Sequence, residues 1–324
     1  MTVREKWIPA GLALAALVAL GMITSGGAAA SPDGSAAKIP NCTEAKNIEA
    51  IIDDSGSMAS TDAGRLRAQL VDTIVGLPEN QGKQLGAVEF GTSANVLFSP
   101  IPIGTSSAQA TVAPFLALID ADNGGTDYNE AFAAGNAANP TADARIFLSD
   151  GQPDAPPTTH TTPPTKTYVV GFDAAVTGGT VLGQIATDTG GSAFAVNTAS
   201  EILPAAGVIS GALNCKEVRA FTDQFNRQGQ SKFHKFKATG KNAQILTTWP
   251  SALTNITVTV NPVGGKKKAR NSVASVAAVK GSRSKGTNFS ALRAKGLRKG
   301  TKYRIKIKAK QLSVPTVATT QVIK

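Results

Sequence analysis

Two patterns of apolar and polar positions divide the chain. In its first two thirds the apolar residues form short, nearly unbroken runs: Ile48-Glu-Ala-Ile-Ile52 and Arg145-Ile-Phe-Leu-Ser149. Such runs, too short for membrane spans, are those of strands buried on both faces of a parallel sheet. Between them lie helix-like stretches such as Tyr128-Asn-Glu-Ala-Phe-Ala-Ala134. Beyond residue 216 the pattern changes to alternation, in Lys232-Phe-His-Lys-Phe-Lys-Ala238, Ala243–Trp249, Asn255–Val260 and Lys302–Ala309. A period of two is that of half-buried antiparallel strands, and turn residues such as Gly264-Gly265 and Lys299-Gly300 separate them. The expected architecture is a doubly wound, mostly parallel α/β sheet with helices on both faces, followed by a smaller all-β sandwich.

The chemistry sits where the apolar runs end. Ile52 is followed by Asp53-Asp-Ser55-Gly-Ser57, one acid and two hydroxyls at alternate positions, all of them hard oxygen donors of the kind Mg²⁺, Mn²⁺ and Ca²⁺ take. Gly124-Gly125-Thr126-Asp127 is a glycine turn entering a helix, and the strand from Arg145 ends at Asp150-Gly. In a parallel α/β sheet the carboxyl ends of neighbouring strands share one crevice, so Asp53, Ser55, Ser57, Thr126 and Asp150 can converge on one cation. The alternative for the same residues is capping and loop hydrogen bonding with no metal.

On these residues, residues 45 to 213 resemble the von Willebrand factor type A domain with its metal-ion-dependent adhesion site. This likeness takes in Thr167-Tyr-Val-Val-Gly-Phe-Asp173 as a strand and Ile185-Ala-Thr-Asp-Thr-Gly-Gly-Ser-Ala-Phe194 as a turn and a strand. The resemblance implies that the three hydroxyls bind the cation directly, that the acids act largely through water, and that a carboxylate of a protein partner completes the shell. Replacing Asp54, whose side chain should point away from its neighbour's, is expected to affect cation-dependent binding much less than replacing Asp53 or Thr126. In that fold the chain ends lie close together, which implies that the only two cysteines, Cys42 and Cys215, form a disulfide tethering the last helix against large sliding; two unpaired thiols are the alternative. The basic part loosely resembles a bacterial pre-peptidase C-terminal type domain, with a fibronectin type III module as second choice.

Charge sharpens the division. Residues 31 to 215 carry 19 acids and 7 bases, residues 216 to 324 carry 2 acids and 24 bases, and the net +11 of the chain hides this contrast. Lys266, Lys267, Lys268 and Arg270 are candidates for contact with anionic surface polymers, against the plainer reading of a solvated face. Arg4 and Lys6 before the apolar stretch Ile8–Ile23 and Ala28-Ala29-Ala30 form a signal-peptide pattern, with a retained membrane anchor as the alternative. The domain reading is therefore a signal peptide at 1–30, a linker at 31–44, the metal-binding domain at 45–215 and a basic β-sandwich at 216–324. Aromatics are only 5% of the chain, so an aliphatic core is expected.

No phosphate-binding loop and no nucleophile–histidine signature is present, and His160 and His234 read as ordinary surface or strand residues rather than catalytic groups. The absence of stacking aromatics among the basic motifs speaks against sequence-specific nucleic-acid binding. The chain is expected to be a secreted or cell-surface, non-enzymatic, Mg²⁺-dependent binding or adhesion protein (Mn²⁺ or Ca²⁺ being the other candidate ions). The alternatives are a substrate-presenting subunit of an extracellular hydrolase and a structural envelope protein.

Overall fold

A computed structural model describes residues 42–250, 253–263, 277–284 and 287–324, with only the backbone described for 277–284 and 287–288. The signal-peptide reading at 1–30 and the candidates Lys266, Lys267, Lys268 and Arg270 lie outside the described residues.

The first sheet has six strands: β1 (Asn47–Asp53), β2 (Gln84–Phe90), β3 (Ala94–Pro102), β4 (Ala144–Ser149), β5 (Lys166–Gly171) and β6 (Ser192–Ala195), in the order β3-β2-β1-β4-β5-β6. All neighbours are parallel except β2 and β3, which are antiparallel. The apolar runs are strands buried on both faces, because helices cover each side. Ile48, Ala50 and Ile52 of β1 join the core formed with α2 (Leu66–Gly76), α3 (Ser106–Leu116) and α6 (Ala199–Leu213). Ile51 faces the opposite way, into a core with α4 (Tyr128–Ala138) and α5 (Val181–Asp188). A short helix, α1 (Met58–Thr61), follows β1.

Two expectations are corrected here. Ile185–Asp188 belongs to the end of α5, and only Ser192–Ala195 is strand, since Leu182, Ile185 and Ala186 supply a helical stripe that docks on the sheet. The core is not purely aliphatic either. Phe90, Tyr128, Phe132 and Phe147 cluster under α4 with ring centroids 4.8 to 5.7 Å apart in edge-on and stacked pairs.

The second part is antiparallel throughout. A three-stranded sheet, β10 (Asn255–Pro262), β13 (Lys302–Gln311) and β8 (Ser231–Lys237), packs on a five-stranded one. The latter has the order β11 (Ala277–Ser284), β12 (Thr287–Lys295), β9 (Asn242–Trp249), β14 (Thr316–Ile323) and β7 (Val218–Phe225). Phe225, Phe236, Ile245, Trp249, Ile305 and Ile307 lie in the core between the two sheets. The expectation of a half-buried strand at 243–249 is corrected: every residue of β9 after Asn242 is buried. Its Ile245 faces the sandwich core, while Leu246 enters the core of α6 together with Ala291 and Ile323. The two parts thus share buried apolar residues, and a Cys42–Cys215 disulfide joins the segment before β1 to the residues just after α6.

Candidate metal site

Three loops at the carboxyl ends of β1 and β4 and before α4 are stitched together by backbone hydrogen bonds. Gly56 N–H donates to Gly124 O at 2.8 Å, Asn123 N–H to Asp54 O at 3.0 Å, and Asp154 N–H to Thr126 O at 2.9 Å. The glycine pair permits this closeness. Gly124 has φ of +66°, and a Cβ on Gly125 would lie 2.6 Å from Asp154 Oδ2. The five residues singled out from the sequence are all in these loops. Asp53, Ser55, Thr126 and Asp150 are buried and Ser57 is half-buried.

Asp53 closes β1 and organises the first loop. Its Oδ1 accepts from Ser55 N–H at 2.9 Å and from Ser55 Oγ at 2.5 Å, while its Oδ2 accepts from Ser149 Oγ. Ser55 and Ser57 hydroxyls stand 3.2 Å apart. Asp150 accepts from Thr61 Oγ1 at 3.0 Å and from Gln152 N–H at 3.3 Å. Thr126 is held through its backbone, its N–H donating to Asp154 Oδ2 at 2.8 Å. Asp127 serves as the N-cap of α4, accepting from the N–H groups of Asn129 and Glu130, and so starts the helix immediately after Thr126.

Burial pushes the Asp53 carboxyl up to about 6; the Ser149 and Ser55 hydrogen bonds pull the other way, and the nearby Asp150 adds to the rise. Among the described residues no lysine or arginine pairs with Asp53 or Asp150. A buried carboxylate without a counter-charge is costly, and a divalent cation is one group that would remove the cost. The donor set, two carboxylates and three hydroxyls with neither nitrogen nor sulfur, fits a hard divalent cation.

Several residues that hold the site were not found from the sequence. Ser149 bridges Asp53 to Tyr128, whose hydroxyl lies 2.6 Å from Ser149 Oγ. Thr61 braces Asp150, Asp154 braces Thr126, and Thr92 Oγ1 accepts from Gly125 N–H at 2.7 Å. Only Asp154, just beyond the Asp150-Gly turn, carried a legible signal as an acid near the motif.

Asp54 turns its side chain away from the five residues, as expected; it is buried, ion-paired to Arg67 at 2.9 Å and accepting from Ala121 N–H at 2.7 Å. Burial raises its pKa against the pull of the Ala121 N–H and Arg67. Asp54, Asp120 and Asp122 have carboxylate oxygens within 4.8 Å of one another. His160 is also buried rather than on the surface, its Nε2 3.0 Å from Asp188 Oδ2, whereas His234 lies on β8 as expected.

Fold and site together define a parallel α/β domain that gathers oxygen donors above the carboxyl ends of its strands. Residues 50–152 match the family model described as von Willebrand factor type A domain, and this part of the chain is a domain of that type. No curated protein matches the chain. Among solved structures, an aerotolerance-related membrane protein from Bacteroides fragilis is similar over 52% of this chain and 98% of its own, at 15% identity and a TM-score of 0.39. A von Willebrand factor type A protein from Catenulispora acidiphila is similar over 85% of this chain and 65% of its own, at 15% identity and a TM-score of 0.42. Proximal thread matrix protein 1 from the mussel byssus, with a zinc-occupied MIDAS motif, is similar over 55% of this chain and 50% of its own, at 18% identity and a TM-score of 0.39. The chain spans less than two thirds of the length of the last two.

Proposed function

We propose that this chain is an exported, non-enzymatic binding protein that uses a divalent cation to capture a carboxylate of a protein partner. The observation that carries the reading is the convergence of Asp53, Ser55, Ser57, Thr126 and Asp150 in three loops stitched by backbone hydrogen bonds. Asp53, Ser55, Ser57, Thr126 and Asp150 would hold the ion. A bound Mg²⁺, or Mn²⁺ or Ca²⁺ in its place, supplies an electrophilic centre with open positions for a partner's oxygen. The chain's residues do the rest. Asp53 and Ser149 fix the first loop, Thr61 aims Asp150, and Asp154 with Thr92 presents Thr126 on a preformed turn. Two carboxylates balance a doubly positive ion, so a partner's Asp or Glu adds the further negative charge the ion accepts. Export is supported by the disulfide, a bond of oxidising compartments, and no helix among the described residues is long and apolar enough to cross a membrane.

The test is titration of the full chain with Mg²⁺ and Mn²⁺ by calorimetry, then capture on arrays of Asp- and Glu-containing peptides with Mg²⁺ or EDTA. Thr126→Ala and Asp53→Asn should each weaken ion binding at least about tenfold and abolish EDTA-sensitive capture. Wild-type protein that takes up no divalent ion at millimolar concentration would refute the proposal.

A further inference from the structure

The solvent face of the three-stranded sheet carries basic side chains and, among the described residues, no acid. On β13 the buried residues are Tyr303, Ile305, Ile307 and Ala309, so Lys302, Arg304, Lys306, Lys308 and Lys310 take the opposite face. Alternate residues of a strand repeat about every 6.7 Å, and five cations therefore stand in one row. On β8, Phe236 is buried and Phe233, Lys235 and Lys237 are exposed. The register sets Lys237 directly opposite Lys302 and Lys235 directly opposite Arg304. On the other flank β10 brings Thr257, Thr259 and Asn261 beside Lys308, Lys306 and Arg304. The only acids of residues 216–324 are Glu217 and Asp223, and these pair with Lys324 and His234, away from this face.

Like charges placed directly opposite one another destabilise a sheet, and two such pairs lie side by side here. A polyanion laid along β13 would neutralise both. We propose that the face formed by β8, β13 and β10 binds a linear acidic polysaccharide, its carboxylate or sulfate groups on the cation row and its hydroxyls against Thr257, Thr259 and Asn261. Charge complementarity names an anionic partner. Among the described residues the large apolar side chains on this face are Phe233, 53% exposed, and Val263, 41% exposed at the end of β10 opposite Lys302; the Phe233 ring already carries Arg304 at 5.3 Å and Lys306 at 5.9 Å. A single, cation-covered aromatic makes no platform for successive nucleobases, and two separated apolar side chains offer little to bury in a bilayer. The proposal is independent of the metal site and uses residues other than Lys266–Lys268 and Arg270.

The experiment measures binding of a heparin dodecasaccharide to the full chain in EDTA at low and raised salt. Single-stranded oligonucleotide, anionic phosphatidylserine vesicles and neutral dextran are the comparison probes. The expected result is EDTA-resistant binding that prefers heparin and weakens at least about tenfold between 50 and 200 mM salt. The double variant Lys235→Glu, Lys237→Glu should lose binding at least about tenfold while its melting temperature holds or rises, because the new carboxylates face Arg304 and Lys302. Wild-type affinity in that variant, tighter binding of the oligonucleotide or vesicles, or loss seen only when Lys266, Lys267, Lys268 and Arg270 are replaced by Ala would overturn the proposal.

Discussion

Asp54 and Asp53 are adjacent in the chain and opposite in role. Asp53 faces the loops of the candidate site, and Asp54 turns into a buried pair with Arg67, which also binds Asp62 at 3.0 Å. Removing Asp54 leaves Arg67 with Asp62 alone and takes the acceptor from the Ala121 N–H. Asp54→Ala should therefore cost about 1–3 kcal/mol in urea unfolding while leaving ion affinity largely unchanged, the reverse of Thr126→Ala. Glu49 is the other informative residue. It sits on the central strand β1, facing α4, and no hydrogen bond of normal length reaches either oxygen. Burial pushes it up to about 8, with Asn139 and Arg145 offsetting only part. Room for it comes from Gly86, its neighbour on β2, where a Cβ would lie 2.5 Å from Oε2. Because its folded pKa lies above the unfolded one, the folded state holds the proton more tightly. Stability associated with Glu49 is then full below about pH 4.5 and declines as pH rises towards 8. Glu49→Gln should flatten that decline. Parallel pH profiles of denaturation midpoint in both proteins would contradict it.

At the scale of elements, α6 decides how the two parts meet. Ile202, Ala206 and Ile209 pack towards the parallel sheet, while Gly207 and Gly211 give close approach to the sandwich. A Cβ on Gly207 would run into the Gln321 amide oxygen and come within 2.8 Å of Leu246 Cδ1. Gln321 Nε2 in turn donates to Pro204 O at 3.0 Å. Gly207→Leu should destabilise by about 1–3 kcal/mol through overpacking, read from chemical denaturation of the full chain. An unchanged midpoint would mean that the helix can shift. The same packing adds to the disulfide as a reason for α6 to stay in place.

For the molecule as a whole, the shared core of α6, β9, β12 and β14 couples the two parts in unfolding. Calorimetry should show one main transition rather than two. The disulfide closes a loop with a sequence separation of 173, for which chain entropy gives about 5 kcal/mol as an upper figure. Reduction should lower the melting temperature and keep the fold. Two alkylatable thiols in the unreduced protein would rule the bridge out.

What the sequence by itself determined follows from local repetition. Unbroken apolar runs at β1 and β4 require a sheet buried on both faces, alternation at β8, β10 and β13 requires antiparallel strands with one wet face, and oxygen donors at the ends of the runs mark the crevice. The strands β7, β12 and β14 are rich in small and polar residues and carry no comparable period, so their place was legible only once their neighbours were known. Tertiary structure alone decided what depends on residues far apart in the chain. Ser149 reaches Asp53 across 96 positions and Thr61 reaches Asp150 across 89, and no local pattern encodes such contacts. Likewise, β9 looked half-buried because its outer neighbour, α6, comes from the other part of the chain. The cation row on β13 was visible as alternation, but its pairing with Lys235 and Lys237 was set by strand register, which a one-residue slip would have reversed.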